Sequence, residues 1–178
     1  MATPPDFTAG QVLTAAQMNA IGLWHISRTT IGSAVSSVTV SNAFSADYDS
    51  YKIIVQGGAG STGGDLDVTL GATTTGYYQG ALFVIYAAGS AGGNAATNAA
   101  NWDAGRMDTT ALTMNMEIHS PFLTEYTTFQ SAWSRAADAM GRVGGYLNNT
   151  TSYTAFTITT STGTMTGGTI DVYGFRGP

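Results

Sequence analysis

The chain has no cysteine among its 178 residues, which excludes disulfide staples, thiolate nucleophiles and cysteine zinc sites. A chain without cysteine works on either side of a membrane, so the redox compartment stays open. Charge is nearly as scarce. Asp, Glu, Lys and Arg make up 10% of the residues, against roughly 25% in an ordinary soluble domain. Lys52 is the only lysine among six basic residues, and the net charge is −5. Nucleic-acid binding and polybasic membrane attachment both need clustered Lys and Arg. Scattered arginines on an acidic chain do not supply them, so no nucleic-acid partner is expected. The longest apolar run, residues 81–88, is less than half of the roughly 20 residues that span a bilayer, and no membrane insertion is expected. The front carries Pro4, Pro5 and Asp6 where a secretory leader would be basic and apolar, so nothing there directs conventional secretion.

What is present suits one domain with a core of its own, since 43% of the residues are hydrophobic and 23 are glycine. Two unequal parts are expected: an anchor segment over residues 1–22 and a β-domain over residues 23–178. In the first part, Thr14-Ala15-Ala16-Gln17 fits a capping box, with Leu13 and Met18 at hydrophobic-staple positions. This predicts a short helix over residues 14–21, stopped at Gly22. Two helical turns do not stabilise themselves in water, so the helix must dock, either on its own domain or on another molecule. Phe7, Val12, Leu13, Met18 and Ile21 form an apolar set out of proportion to the segment's length, and they are the candidate assembly anchor.

From Trp24 onward the pattern has a period of two. Leu66, Val68 and Leu70 interleave with Asp65, Asp67 and Thr69; Leu112, Met114, Met116 and Ile118 interleave with Thr113, Asn115, Glu117 and His119. Val38-Thr39-Val40, Ile53 with Val55, Phe129 with Trp133, Phe156 with Ile158, and Ile170 with Val172 repeat the motif. Half-buried strands read this way. The more continuously apolar Tyr77 to Tyr86 reads as a central strand. The expected fold is all-β, an antiparallel β-sandwich of jelly-roll type with about nine or ten strands. Residues 87–101, nearly all Ala, Gly, Asn, Ser and Thr, lack any period and are expected to be a long loop.

Several residues could carry chemistry. Asp65 and Asp67 lie two apart on one strand, so their carboxylates share a face about 7 Å apart, the geometry of a glycosidase pair or a calcium site. A solvated outer face is the favoured explanation, and like charge there discourages edge pairing. Asp47 and Asp49 flank Tyr48 in a turn-like stretch. His25 and His119, with Ser27 and Glu117 nearby in sequence, have neither a nucleophile elbow nor metal-ligand spacing. Gly58-Ala59-Gly60-Ser61-Thr62-Gly63 spells a dinucleotide fingerprint, but a strand pattern follows it, and pyrophosphate binding needs a helix there. Trp24, Trp102, Trp133 and the nine tyrosines offer rings for stacking on sugars. No cofactor and no catalytic or metal site is expected, and the chain is not expected to be an enzyme.

The opening Asp6-Phe7-Thr8-Ala9-Gly10-Gln11-Val12-Leu13-Thr14-Ala15-Ala16-Gln17-Met18-Asn19 resembles the F-x-A-G-x-x-L-T-A-x-x-M/L-N start of virion proteins of tailed bacteriophages. Val35-Ser36-Ser37-Val38-Thr39-Val40, followed by Phe44, Tyr48, Asp49 and Tyr51-Lys52-Ile53-Ile54-Val55, is similar to the first strands of tail-fibre-like and head-fibre-like sandwiches of those particles. Gly168-Thr169-Ile170-Asp171-Val172-Tyr173-Gly174-Phe175 resembles their closing strand, while residues 56–166 match only in style. The resemblance implies a virion location, an N-terminal helix attached to other virion proteins, and a projecting β-sandwich assembled as a homotrimer. It also implies surface binding, with host surface glycan as one partner, rather than catalysis. The alternatives are a capsid decoration or head-fibre protein, a carbohydrate-binding module, and a glycan hydrolase using Asp65 and Asp67.

Overall fold

A computed structural model of the chain describes residues 22–136 and 138–175, together with Gly10 and Val12. The helix expected over residues 14–21 lies outside the described residues, as do Phe7, Leu13, Met18 and Ile21 of the candidate anchor. The described residues contain no helix and form fourteen strands: β1 (Leu23–Thr30), β2 (Ser37–Val40), β3 (Ser50–Gln56), β4 (Ala59–Gly60), β5 (Gly64–Leu70), β6 (Tyr77–Ile85), β7 (Ser90–Ala99), β8 (Trp102–Met107), β9 (Leu112–His119), β10 (Thr128–Arg135), β11 (Ala139–Leu147), β12 (Phe156–Thr160), β13 (Met165–Thr166) and β14 (Thr169–Phe175). The all-β expectation holds. The strand number exceeds the expected nine or ten, partly because β4 and β13 are a two-residue ribbon of their own.

All pairings are antiparallel. One layer runs in the order β1-β14-β3-β9-β10-β11-β6-β7, the other β2-β12-β5-β8. The layers share β9: Leu112 and Thr113 pair with β8, whereas Met114 to His119 pair with β3. Alternation explains the core between them. β5 turns Leu66, Val68 and Leu70 inward, β9 turns Leu112, Met114, Met116 and Ile118 inward, and all seven are at most 2% exposed. Trp102 of β8 lies 4.4 Å from the Phe129 ring of β10 and 5.0 Å from Tyr77 of β6. Polar stitches cross the same interface. The Ser131 hydroxyl donates to the Ala104 carbonyl at 2.6 Å, and the Asp103 amide donates to Gln79 Oε1 at 2.7 Å. The Tyr77 hydroxyl accepts from the Leu70 amide at 2.8 Å.

Two expectations are corrected. Residues 87–101 are not a loop, because β7 occupies most of that stretch and pairs with β6 from Ile85↔Ser90 to Tyr77↔Ala99. Small residues and exposure on both faces erased the alternation that would have marked it, and the ladder to β6 imposes the strand. That ladder also places the Tyr77 to Tyr86 stretch one strand in from the edge rather than at the centre. The fingerprint-like glycines serve a backbone crossing. Gly58 has φ +66°, and a Cβ there would come 2.2 Å from the Gly167 carbonyl oxygen. A strand, β5, follows as expected.

Replacing Ser131 by Ala leaves the buried Ala104 carbonyl without its donor. Urea unfolding of Ser131→Ala should show a loss of about 1–2 kcal/mol with an unchanged denaturant slope.

Candidate functional site

The two carboxylates singled out from sequence do share the outer face of β5, and the fold brings a third to them. Register sets Asp65 opposite Arg106 and Asp67 opposite Asp103 on β8. Arg106 is the hub: its guanidinium reaches Asp65 Oδ1 at 3.0 Å, pairs with Asp103, and lies 4.2 Å over the Trp133 ring. Sequence reasoning missed Asp103 and Arg106, because only the register across β5 and β8 makes them neighbours of the Asp65–Asp67 pair.

Burial is the main cause that raises Asp67 to about 7, with Asp103 and Asp65 adding repulsion and Arg106 opposing. Burial, then Asp103, also raises Asp65. The patch therefore takes up and releases a proton near neutrality. A glycosidase pair needs room for substrate between its carboxyl groups, whereas here one guanidinium binds both Asp65 and Asp103. Among the described residues no three His, Asp or Glu side chains are arranged to hold a metal ion.

The remaining candidates are dispersed. His25 Nε2 lies 3.3 Å from Asp171 Oδ1, while the His119 Nδ1 contacts the Ser50 hydroxyl at 2.9 Å. Glu117 bonds Lys52 and Gln130, not a histidine. No Ser-His-acid chain is assembled among them. Asp171 is fully buried and is clamped by Arg28 Nε at 2.6 Å; that bond, aided by His25 and Thr169, holds its carboxyl below the usual range. Asp47 engages Ser45 within its own turn. Trp102 and Trp133 belong to the core, while Tyr86, Tyr126 and Tyr146 are exposed and Tyr78 is half-buried. Tyr78 and Tyr146 stack at 5.0 Å. Of the anchor set, Val12 is described and is 84% exposed.

Among the described residues, a group of exposed apolar side chains lies on the outer face of the larger layer, along β6 and β11. Leu82 is 75% exposed, Met140 51%, Tyr86 48% and Val84 40%. Among the described residues, no strand of the smaller layer is paired to this flank, and β7 is the last strand of the sheet. Comparison with protein-family models, curated proteins and solved structures gives no match.

An acid raised from its ordinary 3.8 to about 7 in the folded state binds more protons folded than unfolded between those values. Its contribution to stability is therefore fully present below about pH 4 and lost as pH rises to about 7. The shift sets an upper bound near 4 kcal/mol, and solvent access lowers it to about 1–2 kcal/mol. Asp67→Asn should match the parent near pH 4 and exceed it by that amount at pH 8, as read from urea midpoints across pH.

Proposed function

We propose that this chain is a non-enzymatic structural protein of a tailed-bacteriophage virion, a tail-fibre or minor-tail appendage; a capsid decoration or head-fibre position is the alternative. Residues 1–22 attach it to other virion proteins, and the β-domain from residue 23 onward projects as a homotrimer. The observation that carries this reading is the apolar set Phe7, Val12, Leu13, Met18 and Ile21 in so short a front segment. Among the described residues, the buried cluster runs from Ile31 to Val172, while Val12 stands in solvent. An exposed apolar segment marks a surface for another molecule. The F-x-A-G start of the chain supports the particle as that molecule. The bare flank around Leu82, Val84 and Met140 supports contact between copies, since apolar patches rimmed by polar residues mark association surfaces.

The strand orders support a jelly-roll form of the sandwich. β1-β14-β3-β9 and β2-β12-β5-β8 are two four-stranded sets interleaved along the chain, which is how two Greek keys wrap into a jelly roll. On this reading β6-β7 and β10-β11 are two hairpins added to one edge, and they create the overhanging flank.

Particles purified from cells infected with the virus that encodes the chain should react with antibody to the β-domain, visible by immuno-electron microscopy. A chain lacking residues 1–22 should stay folded and be absent from those particles. Unlabelled particles, or normal incorporation of the truncated chain, would overturn the reading. Light scattering should give about three times the 18.4 kDa chain mass, and Val84→Glu should return a single-chain mass if the flank joins the copies.

A further inference from the structure

On the outer face of the larger layer, register lines up one row of residues across five strands: Lys52, Glu117, Gln130, Gly144 and Gly80. The two glycines are cross-strand partners and form the floor of a cleft of about 400 Å³. Arg142 and Leu82 line one side of it, and the charged end is closed by Lys52, Glu117 and Gln130. The stacked Tyr78–Tyr146 pair stands in the neighbouring row, on the side opposite Arg142 and Leu82. This volume falls in the range of small-ligand sites, about 300–1,000 Å³.

Two features of the cleft bear on what it could hold. The first is Gly80. Its neighbours Gly141 and Gly145 are required internally, because a Cβ would come 2.5 Å from the Trp133 ring and 1.9 Å from the Tyr78 carbonyl oxygen. A Cβ on Gly80 would meet nothing within 4 Å. Glycine weakens a strand interior, and it is kept where a ligand or another backbone comes close. The second is Arg142. Arg28, Lys52, Arg106 and Arg135 each face a carboxylate, whereas Arg142 has neither a carboxylate nor a hydrogen-bond acceptor among the described residues. In a chain of net charge −5, the cleft is locally cationic, with Lys52 and Arg142 against Glu117.

We infer that this cleft binds an acidic saccharide, its carboxylate on the Arg142 guanidinium and its hydroxyls on Gln130, Glu117 and Asn115. A guanidinium takes a carboxylate through two parallel bonds, and planar amide and carboxylate groups suit vicinal hydroxyls. Charged groups are depleted at the centre of protein interfaces, so a floor ringed by five charged or amide side chains favours a polar small ligand over a second copy. The cleft has this chemistry whether or not the chain sits on a virion, and failure of the particle experiments leaves it standing.

The test is a titration of the ¹⁵N-labelled full chain with trigalacturonate, 3′-sialyllactose and, as the neutral control, maltotriose. At least one acidic sugar should shift the amides of Gly80, Gln130 and Gly144 saturably, and maltotriose should bind at least about tenfold more weakly. Arg142→Ala should weaken the acidic sugar by about tenfold or more. Gly80→Val should abolish binding while its melting temperature stays at or above the parent's, since valine suits a strand and meets open space. The inference is overturned by no saturable shift with either acidic sugar at about 10 mM, or by undiminished binding in Gly80→Val. The same shifts on concentrating the protein alone would also overturn it, by assigning the cleft to a second copy.

Discussion

Strand β9 is bonded into both layers, and the rest of the molecule hangs from it. Its first two residues ladder with β8, the next six with β3, and its other edge carries β10. Side chains alternate along a strand whatever its partner is, so Leu112, Met114, Met116 and Ile118 feed one core on both sides of the handover. The β10-β11-β6-β7 extension is attached through that other edge. The outer-face row of Lys52, Glu117, Gln130, Gly144 and Gly80 is in register only because β3 and β10 flank the same residues of β9.

Scarcity of charge shapes how the surface is held. Two ion-pair groups sit at junctions: Arg28 with buried Asp171 fastens β1 to β14, and Arg106 gathers Asp65, Asp103 and the Trp133 ring where β5, β8 and β10 meet. Elsewhere hydroxyls take over. Thr39 and Thr157 bond across β2 and β12 at 2.8 Å, and Thr73 bonds Tyr153 at 2.7 Å. Neutral contacts of this kind are not screened by salt, so most of the surface stays indifferent to ionic strength.

Large alternating residues made β3, β5, β9, β12 and β14 readable from sequence, because burial on one face leaves a period-two trace. β11 was hidden by Gly141, Gly144 and Gly145, which say nothing of face. β7 was hidden because small residues exposed on both sides have no face to mark. The Asp65–Asp67 pair was readable because both lie on one strand, but Asp103 and Arg106 join it only through cross-strand register. The row beneath the outer-face cleft takes one residue from each of five strands, and no spacing along the chain encodes such a row. Phe7, Leu13, Met18 and Ile21 lie outside the described residues, so their part rests on the sequence.

The sheets end in edges of unequal protection. β1 has a bulge between His25 and Ser27 and carries Arg28, and β2 is only four residues long; both devices discourage a foreign strand from adding on. β7 has ten residues with no charge, no proline and glycines only at its interior. Among the described residues, no strand pairs with its outer side. In a concentrated preparation of the lone chain, the first precipitate should nucleate along β7. Shelf life would then depend on whatever companion keeps that margin occupied.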